Sequence, residues 1–167
     1  MQTIKRKSSI VYICHAGLIA ALYVVLTVAV GAMGLASGAV QLRVSEALCV
    51  LPFFTPAAIP GLAIGCFLSN LLMSCLWQDV LFGTLATLLG AIGARMLRRF
   101  VWLVPIPTVV ANTAIVPFVL AYAYRFEGGL GFFMLTVGAG EVLSAYVCGM
   151  LLLLALRPHA RVLFRGV

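Results

Sequence analysis

Residues 41–65 read QLRVSEALCVLPFFTPAAIPGLAIG, and they interrupt a chain otherwise suited to lipid. Arg43 and Glu46 sit among apolar neighbours, and Pro52, Pro56 and Pro60 follow at intervals of four. An ionised side chain at the centre of a bilayer costs about 2.5–3.5 kcal/mol even on the insertion scale that penalises it least, so charge at that depth is usually kept for function. Proline supplies no amide donor and punctuates a helix. The meaning of both features depends on where the bilayer lies along the chain.

Composition places it. Of 167 residues, 64% are hydrophobic and 9% charged, and the mean hydropathy is +1.19. That leaves too little polar surface to cover a water-soluble globule, so an integral membrane protein is expected. A crossing takes about 20 apolar residues, which leaves room for about six helices in one all-α bundle. The whole of 1–167 is read as a single domain.

The first apolar run follows Lys5, Arg6 and Lys7, and small residues at Leu35-Ala36-Ser37-Gly38-Ala39 imitate a signal-peptide cleavage site. The run at 10–35 exceeds the about 7–15 residues of a signal core, so it is read as a spanning helix. Cys14, Cys49, Cys66, Cys75 and Cys148 are odd in number, scattered and free of any CxxC pair, which argues against a disulfide framework and against a zinc site.

The net charge of +7 is clustered. Lys5, Arg6 and Lys7 precede the first helix, Arg95, Arg98 and Arg99 form a hinge, and Arg157, Arg161 and Arg165 make the tail. Clusters at alternate helix ends are a topology signal, not a nucleic-acid surface, and the positive-inside rule puts all three, with both termini, in the cytoplasm. The expected location is the cell membrane, crossed several times.

Taken in order, the helices are expected at about 10–35, 44–54, 56–75, 79–97, 107–124 and 130–156. The second is awkward, because about 11 residues rise only about 16 Å as an α-helix. Parity requires the chain to reach the inner side near Thr55, so the stretch is read as a short or partly unwound crossing with the prolines making the inner turn.

Polar residues inside this frame are the site candidates. Glu141 lies roughly 16 Å below the outer surface by helical rise. A buried pair with Arg43, a protonated carboxyl, or a substrate or proton site would each explain it. Asp79 suits either an N-cap or a ligand contact. Asn112 needs a partner on a neighbouring helix or on a ligand. Glu46, Asp79, Glu127 and Glu141 all fall in the outer half, where a polar cavity open to the outside would gather them. Asn70 and Gln78 are further candidates, and Trp77 is either pocket rim or interfacial anchor. Ala16 with Ala20, and Gly17 with Ala21, form overlapping small-xxx-small pairs. These serve either packing within the bundle or docking of a separate membrane subunit.

Absences narrow the function. No GxxxxGK[ST] loop is present, so this chain is not an ATP-hydrolysing subunit. His15 and His159 lack HExxH spacing, there is no GxSxG elbow, and no enzyme is expected. No duplicated halves mark a secondary transporter of the inverted-repeat kind. A small bundle with an outward pocket and no motor suits a binding subunit that borrows its energy.

The stretch at 41–65, DVLFGTLATLLGA at 79–91, ANTAIVPFVL at 111–120 and GEVLSAYVCGMLLLLAL at 140–156 together resemble the QueT family. The resemblance implies a six-helix substrate-binding S component of an energy-coupling factor (ECF) importer, an ABC transporter. Such a subunit takes up a queuosine precursor, a 7-deazaguanine, from outside. It would dock through Ala16, Gly17, Ala20 and Ala21 on a transmembrane T component driven by two cytoplasmic ATPases, and bind no cofactor itself. Glu141 or Glu46 would then accept the ligand's N–H donors, with Asn70, Gln78 or Arg43 at its carbonyl. Trp77, Phe53 or Tyr146 would cover its ring, and Asp79 would meet an aminomethyl cation. Another vitamin or purine-like base is the rival cargo, and a stand-alone channel or structural membrane subunit is the rival class.

Overall fold

The computed structural model describes residues 2–34, 43–125 and 128–164, with side chains from residue 9 onward. The candidate cleavage site at 35–39 and Glu127 lie outside the described residues. So do the side chains of Lys5, Arg6 and Lys7, and all of Arg165.

Helix α1 (Gln2–Ala32) is followed by a 3-10 helix (Val44–Phe53), α2 (Ala58–Leu72) and α3 (Trp77–Met96). Then come α4 (Ile106–Phe118) with a π-helical continuation (Val119–Ala123), and α5 (Leu130–Glu141), which passes through a π segment (Val142–Cys148) into α6 (Gly149–Leu156). Among the described residues every regular element is helical. Among the described residues, four stretches are long and apolar enough to cross a membrane, namely Ser9–Ala32, Trp77–Met96, Val101–Ala123 and Leu130–Leu163, while Val44–Phe53 and Ala58–Leu72 are shorter. The protein is a multi-pass membrane bundle. Its outer faces carry exposed Leu18, Val25, Leu68, Leu81, Leu135 and Leu151, as a surface solvated by lipid tails requires.

The short second element is the centre of the bundle. Ser45 to Pro52 are all buried, and α1, α2, α3, the π segment Val142–Cys148 and α6 pack around them. Apolar residues on every side of a helix mark it as enclosed. As a 3-10 helix its ten residues rise about 2.0 Å each, roughly 20 Å in all, so it reaches further than an α-helix of that length. Runs longer than about 3–4 residues are uncommon in this geometry, and they often mark a functional or strained segment.

Small residues bring the neighbouring helices close. A Cβ on Gly61 would stand 2.7 Å from the Ala16 carbonyl oxygen, and one on Gly65 would stand 2.7 Å from Tyr23 Cβ. The same close approach joins α3 to the start of α4, where Gly90 faces Thr108 and Gly93 faces Pro107.

The two ends of the bundle are distinguishable. At one end Arg95 Nη1 donates to the carbonyls of Pro52 (3.0 Å) and Phe53 (3.4 Å), closing the 3-10 helix. His15 Nε2 meets the Leu163 carbonyl at 3.0 Å there, and Phe54 stacks on Phe164. The proline turn, the arginine hinge and the short C-terminal helix Ala160–Leu163 therefore share an end, as parity required. The turn between α2 and α3 and the end of the π continuation meet at the other, where Leu76 N–H donates to Tyr124 Oη.

Candidate functional site

A polar cluster lies inside the bundle, assembled from every major element. Each helix contributes from one buried stripe at helical spacing. The stripe on α1 is Ile19, Tyr23 and Thr27, that on α2 is Leu62, Cys66 and Asn70, and that on α3 is Asp79, Gly83 and Thr87. The 3-10 helix adds Glu46 and Cys49 with Arg43 at its N-terminus, α4 adds Asn112, and α5 ends on Glu141.

Glu46 is saturated by its own protein. Tyr23 donates its hydroxyl hydrogen to Oε1 in a short, fully buried contact, and Cys49 Sγ donates to Oε2 at 3.0 Å. Behind it, Thr27 Oγ1 donates to Ser45 Oγ at 2.8 Å.

Asp79 is only half satisfied. Tyr124 donates to its Oδ2 at 3.1 Å, and Arg43 Nη2 lies 3.6 Å from the same oxygen, an ion pair too long to be a hydrogen bond. Oδ1 is buried and has no hydrogen-bond partner among the described residues. Burial, and after it the Asp79 carboxylate, push the Tyr124 phenol above its ordinary value.

Glu141, only 6% exposed, has the Asn112 side chain as its hydrogen-bonding neighbour, with Glu46 and Arg43 in electrostatic range. Its Oε2 has no partner among the described residues. The π segment begins at the next residue, Val142, and insertions of this kind are frequent at functional sites. Buried polar atoms are normally paired, so two unpaired carboxyl oxygens in one cluster call for a functional explanation.

The sequence candidates divide accordingly. Glu141, Glu46, Arg43, Asn70, Asp79 and Asn112 belong to the cluster. Arg43 forms its ion pair with Asp79 rather than with Glu141, because the N-terminus of the 3-10 helix faces α3. Asp79 is not an N-cap. Leu76 holds that position, and Asp79 is drawn two residues inside α3 by burial against Arg43. Gln78 turns away from the cluster, and its Oε1 is buried without a partner beside an apolar groove of about 520 Å³ lined by Phe82, Ile115, Phe118 and Tyr122. Trp77 is 65% exposed and stands outside the cluster, and Phe53 packs edge-on against Phe54 at the opposite end. Of the small residues on α1, Ala16 and Ala20 close against Gly61 and Gly65, whereas Gly17 and Ala21 face outward.

Tyr23, Tyr124 and Gly83 were not singled out from sequence. A tyrosine in an apolar helix does carry a signal, since its hydroxyl needs a partner when buried. A mid-helix glycine carries another, since it sacrifices about 1 kcal/mol relative to alanine.

The sequence pattern of the family described as QueT transporter matches residues 13–158, from the first turns of the lipid-exposed part of α1 to the end of α6. The chain belongs to the QueT transporter family. All the cluster residues from Tyr23 to Glu141 fall inside the matched region. The matched family is described as one of transporters. A relative, the queuosine precursor transporter QueT of Lactococcus lactis subsp. cremoris, is 40% identical over 96 residues, covering 57% of this chain and 56% of that protein. The match therefore spans little more than half of the relative's length. No solved structure matches the chain.

Proposed function

We propose that this QueT family member is the substrate-binding S component of an ECF-type importer in the cell membrane. It captures a queuosine precursor, a 7-deazaguanine, from outside. It releases the base inward after docking on a transmembrane T component powered by two cytoplasmic ATPases. The carrying observation is that Asp79 Oδ1 and Glu141 Oε2, two buried carboxyl oxygens without partners, lie in one cluster whose described basic residue is Arg43. Such a surplus of acceptors suits a ligand rich in N–H donors. A 7-deazaguanine offers a ring N–H, an exocyclic amine and, in aminomethyl derivatives, a cation. A hydrogen bond to a charged group is worth about 1.5–3 kcal/mol, so two or three of them give useful affinity.

The printed name of the Lactococcus relative supports this cargo, and the lack of a phosphate-binding loop supports an external motor. The end that gathers the proline turn, Arg95 and the C-terminal helix is the cytoplasmic one by the positive-inside rule. The outward Gly17 and Ala21, with Ile13, Cys14 and Leu18 exposed around them, form the docking face for the T component. Ala16 and Ala20 support that face from behind through α2.

Expression of the chain with and without a T component and ATPases tests this reading. The expected result is co-purification of all the subunits and ATP-dependent uptake of labelled 7-deazaguanine only by the full assembly. Uptake by the chain alone, indifferent to ATP, would make it a channel or carrier.

A further inference from the structure

The polar cluster is shut in this conformation. Asn70, Asp79, Asn112 and Glu141 are each no more than 6% exposed, so a base reaches them only after an element moves. The end that carries Arg95 is closed by the Arg95, His15 and Phe54 contacts, and the opposite end depends on Tyr124.

The chain around Tyr124 has the marks of a moving part. Pro117 brings no amide hydrogen to the α4 ladder, and two residues later the backbone changes to π geometry at Val119–Ala123. Prolines and π segments both bend helices, and the two in succession make a hinge. Leu120 packs with Phe133 and Val137 and keeps the pivot on α5, whereas none of residues 121–125 is buried. Tyr124 Oη accepts from the Leu76 N–H at 3.3 Å and donates to Asp79 Oδ2 at 3.1 Å, both beyond the usual range for their type. Ser74, two residues before Leu76, and Arg125, next to Tyr124, are the two non-glycine residues with positive φ among the described residues, at 55° and 50°. Backbone of this kind is sparsely populated and gathers in switch regions. The groove of about 520 Å³, rimmed by the exposed Phe82, Leu85 and Tyr122, runs beside the hinge, so the segment can shift by displacing lipid tails instead of packed protein.

We propose that residues 121–125 are the outer gate of the binding cluster, pivoting on Pro117 and the π segment and latched by the Tyr124 hydroxyl on Asp79 and Leu76. The gate swings out to admit the base and closes again over it. Opening frees Asp79 Oδ2 on a carboxylate whose Oδ1 has no partner among the described residues, so the base meets an acceptor as it enters. This inference rests on the importer reading above and deepens it by naming the part that controls entry.

Cys66 reports the state of the gate. It is fully buried one turn along α2 from Asn70, whose Nδ2 lies 3.7 Å from its Sγ. The test measures the rate at which methyl methanethiosulfonate labels Cys66 in detergent-solubilised protein, read by peptide mass spectrometry. Tyr124→Phe keeps the ring and removes the latch, and it should speed labelling at least about tenfold, as the loss of a hydrogen bond to a charged group implies. Arg95→Ala loosens the opposite end and should leave the rate near that of wild type. Equal acceleration in both variants means general loosening and overturns the gate, as does a wild-type rate in Tyr124→Phe. Pro117→Ala decides the matter if Tyr124→Phe does not fold. It restores an amide hydrogen and stiffens the hinge, so labelling should slow, and an unchanged or faster rate overturns the gate. Saturating 7-deazaguanine should protect Cys66 in the wild type. Faster labelling in Tyr124→Phe with no protection by the base leaves the gate standing and removes the deazaguanine cargo.

Discussion

Tyr23→Phe removes a single oxygen from the interior, and its consequence follows from the packing. Tyr23 and Glu46 are each 1% exposed, so water cannot replace the lost donor at Glu46 Oε1. Cys49 serves the other oxygen, and no further donor to Oε1 is present among the described residues. A buried acceptor left unpaired costs about 1–3 kcal/mol, and at about 1.4 kcal/mol per factor of ten that is roughly a 5- to 150-fold shift toward unfolding. Unfolding by SDS titration in mixed micelles, followed by the fluorescence of Trp77 and Trp102, measures it. A double-mutant cycle with Glu46→Leu, which removes both acceptor oxygens, isolates the pair, with an expected coupling of at least about 0.5 kcal/mol. If Tyr23→Phe is as stable as wild type within about 0.5 kcal/mol in both backgrounds, the contact does not hold the cluster together.

Three other substitutions probe the frame. Gly65→Val places its Cβ 2.7 Å from Tyr23 Cβ and 3.0 Å from the Ala20 carbonyl, so α1 must move off α2 at a cost of about 1–3 kcal/mol in the same titration. Gly17→Val meets nothing within 4 Å and should leave unfolding unchanged. It should nevertheless reduce ATP-dependent uptake by blocking the docking face, and normal uptake would remove Gly17 from that face. Arg95→Ala deprives the Pro52 and Phe53 carbonyls of their donor, and because Arg95 is half-buried the expected loss is about 0.5–1.5 kcal/mol, with no loss counting against the cap.

Much of the frame was legible because lipid imposes it. Apolar run length, the placement of Arg95 to Arg99 and the prolines at 52, 56 and 60 gave the helical order, including the shortness of the second element. Its 3-10 geometry was not legible, since the surrounding α1, α2, α3, α6 and the π segment at 142–148 fix how far ten enclosed residues must reach. Candidate acids were visible as charges in apolar surroundings. Their pairing was not, because Arg43 meets Asp79 across some 36 positions of chain, and nothing local prefers that carboxylate to Glu141. Small-residue spacing on α1 pointed to a close helix contact without revealing which pair faced inward. The structure turns Ala16 and Ala20 toward α2 and leaves Gly17 and Ala21 outside.

The central claim is that the interior carboxyl cluster holds a 7-deazaguanine through Glu141. Native mass spectrometry of the protein purified from cells supplied with the base tests this most directly, with Glu141→Gln purified in parallel. The account predicts a bound mass equal to a 7-deazaguanine on the wild type, and none on a Glu141→Gln variant that remains folded and membrane-inserted. A different bound mass on the wild type, or the same base retained by Glu141→Gln, would contradict it.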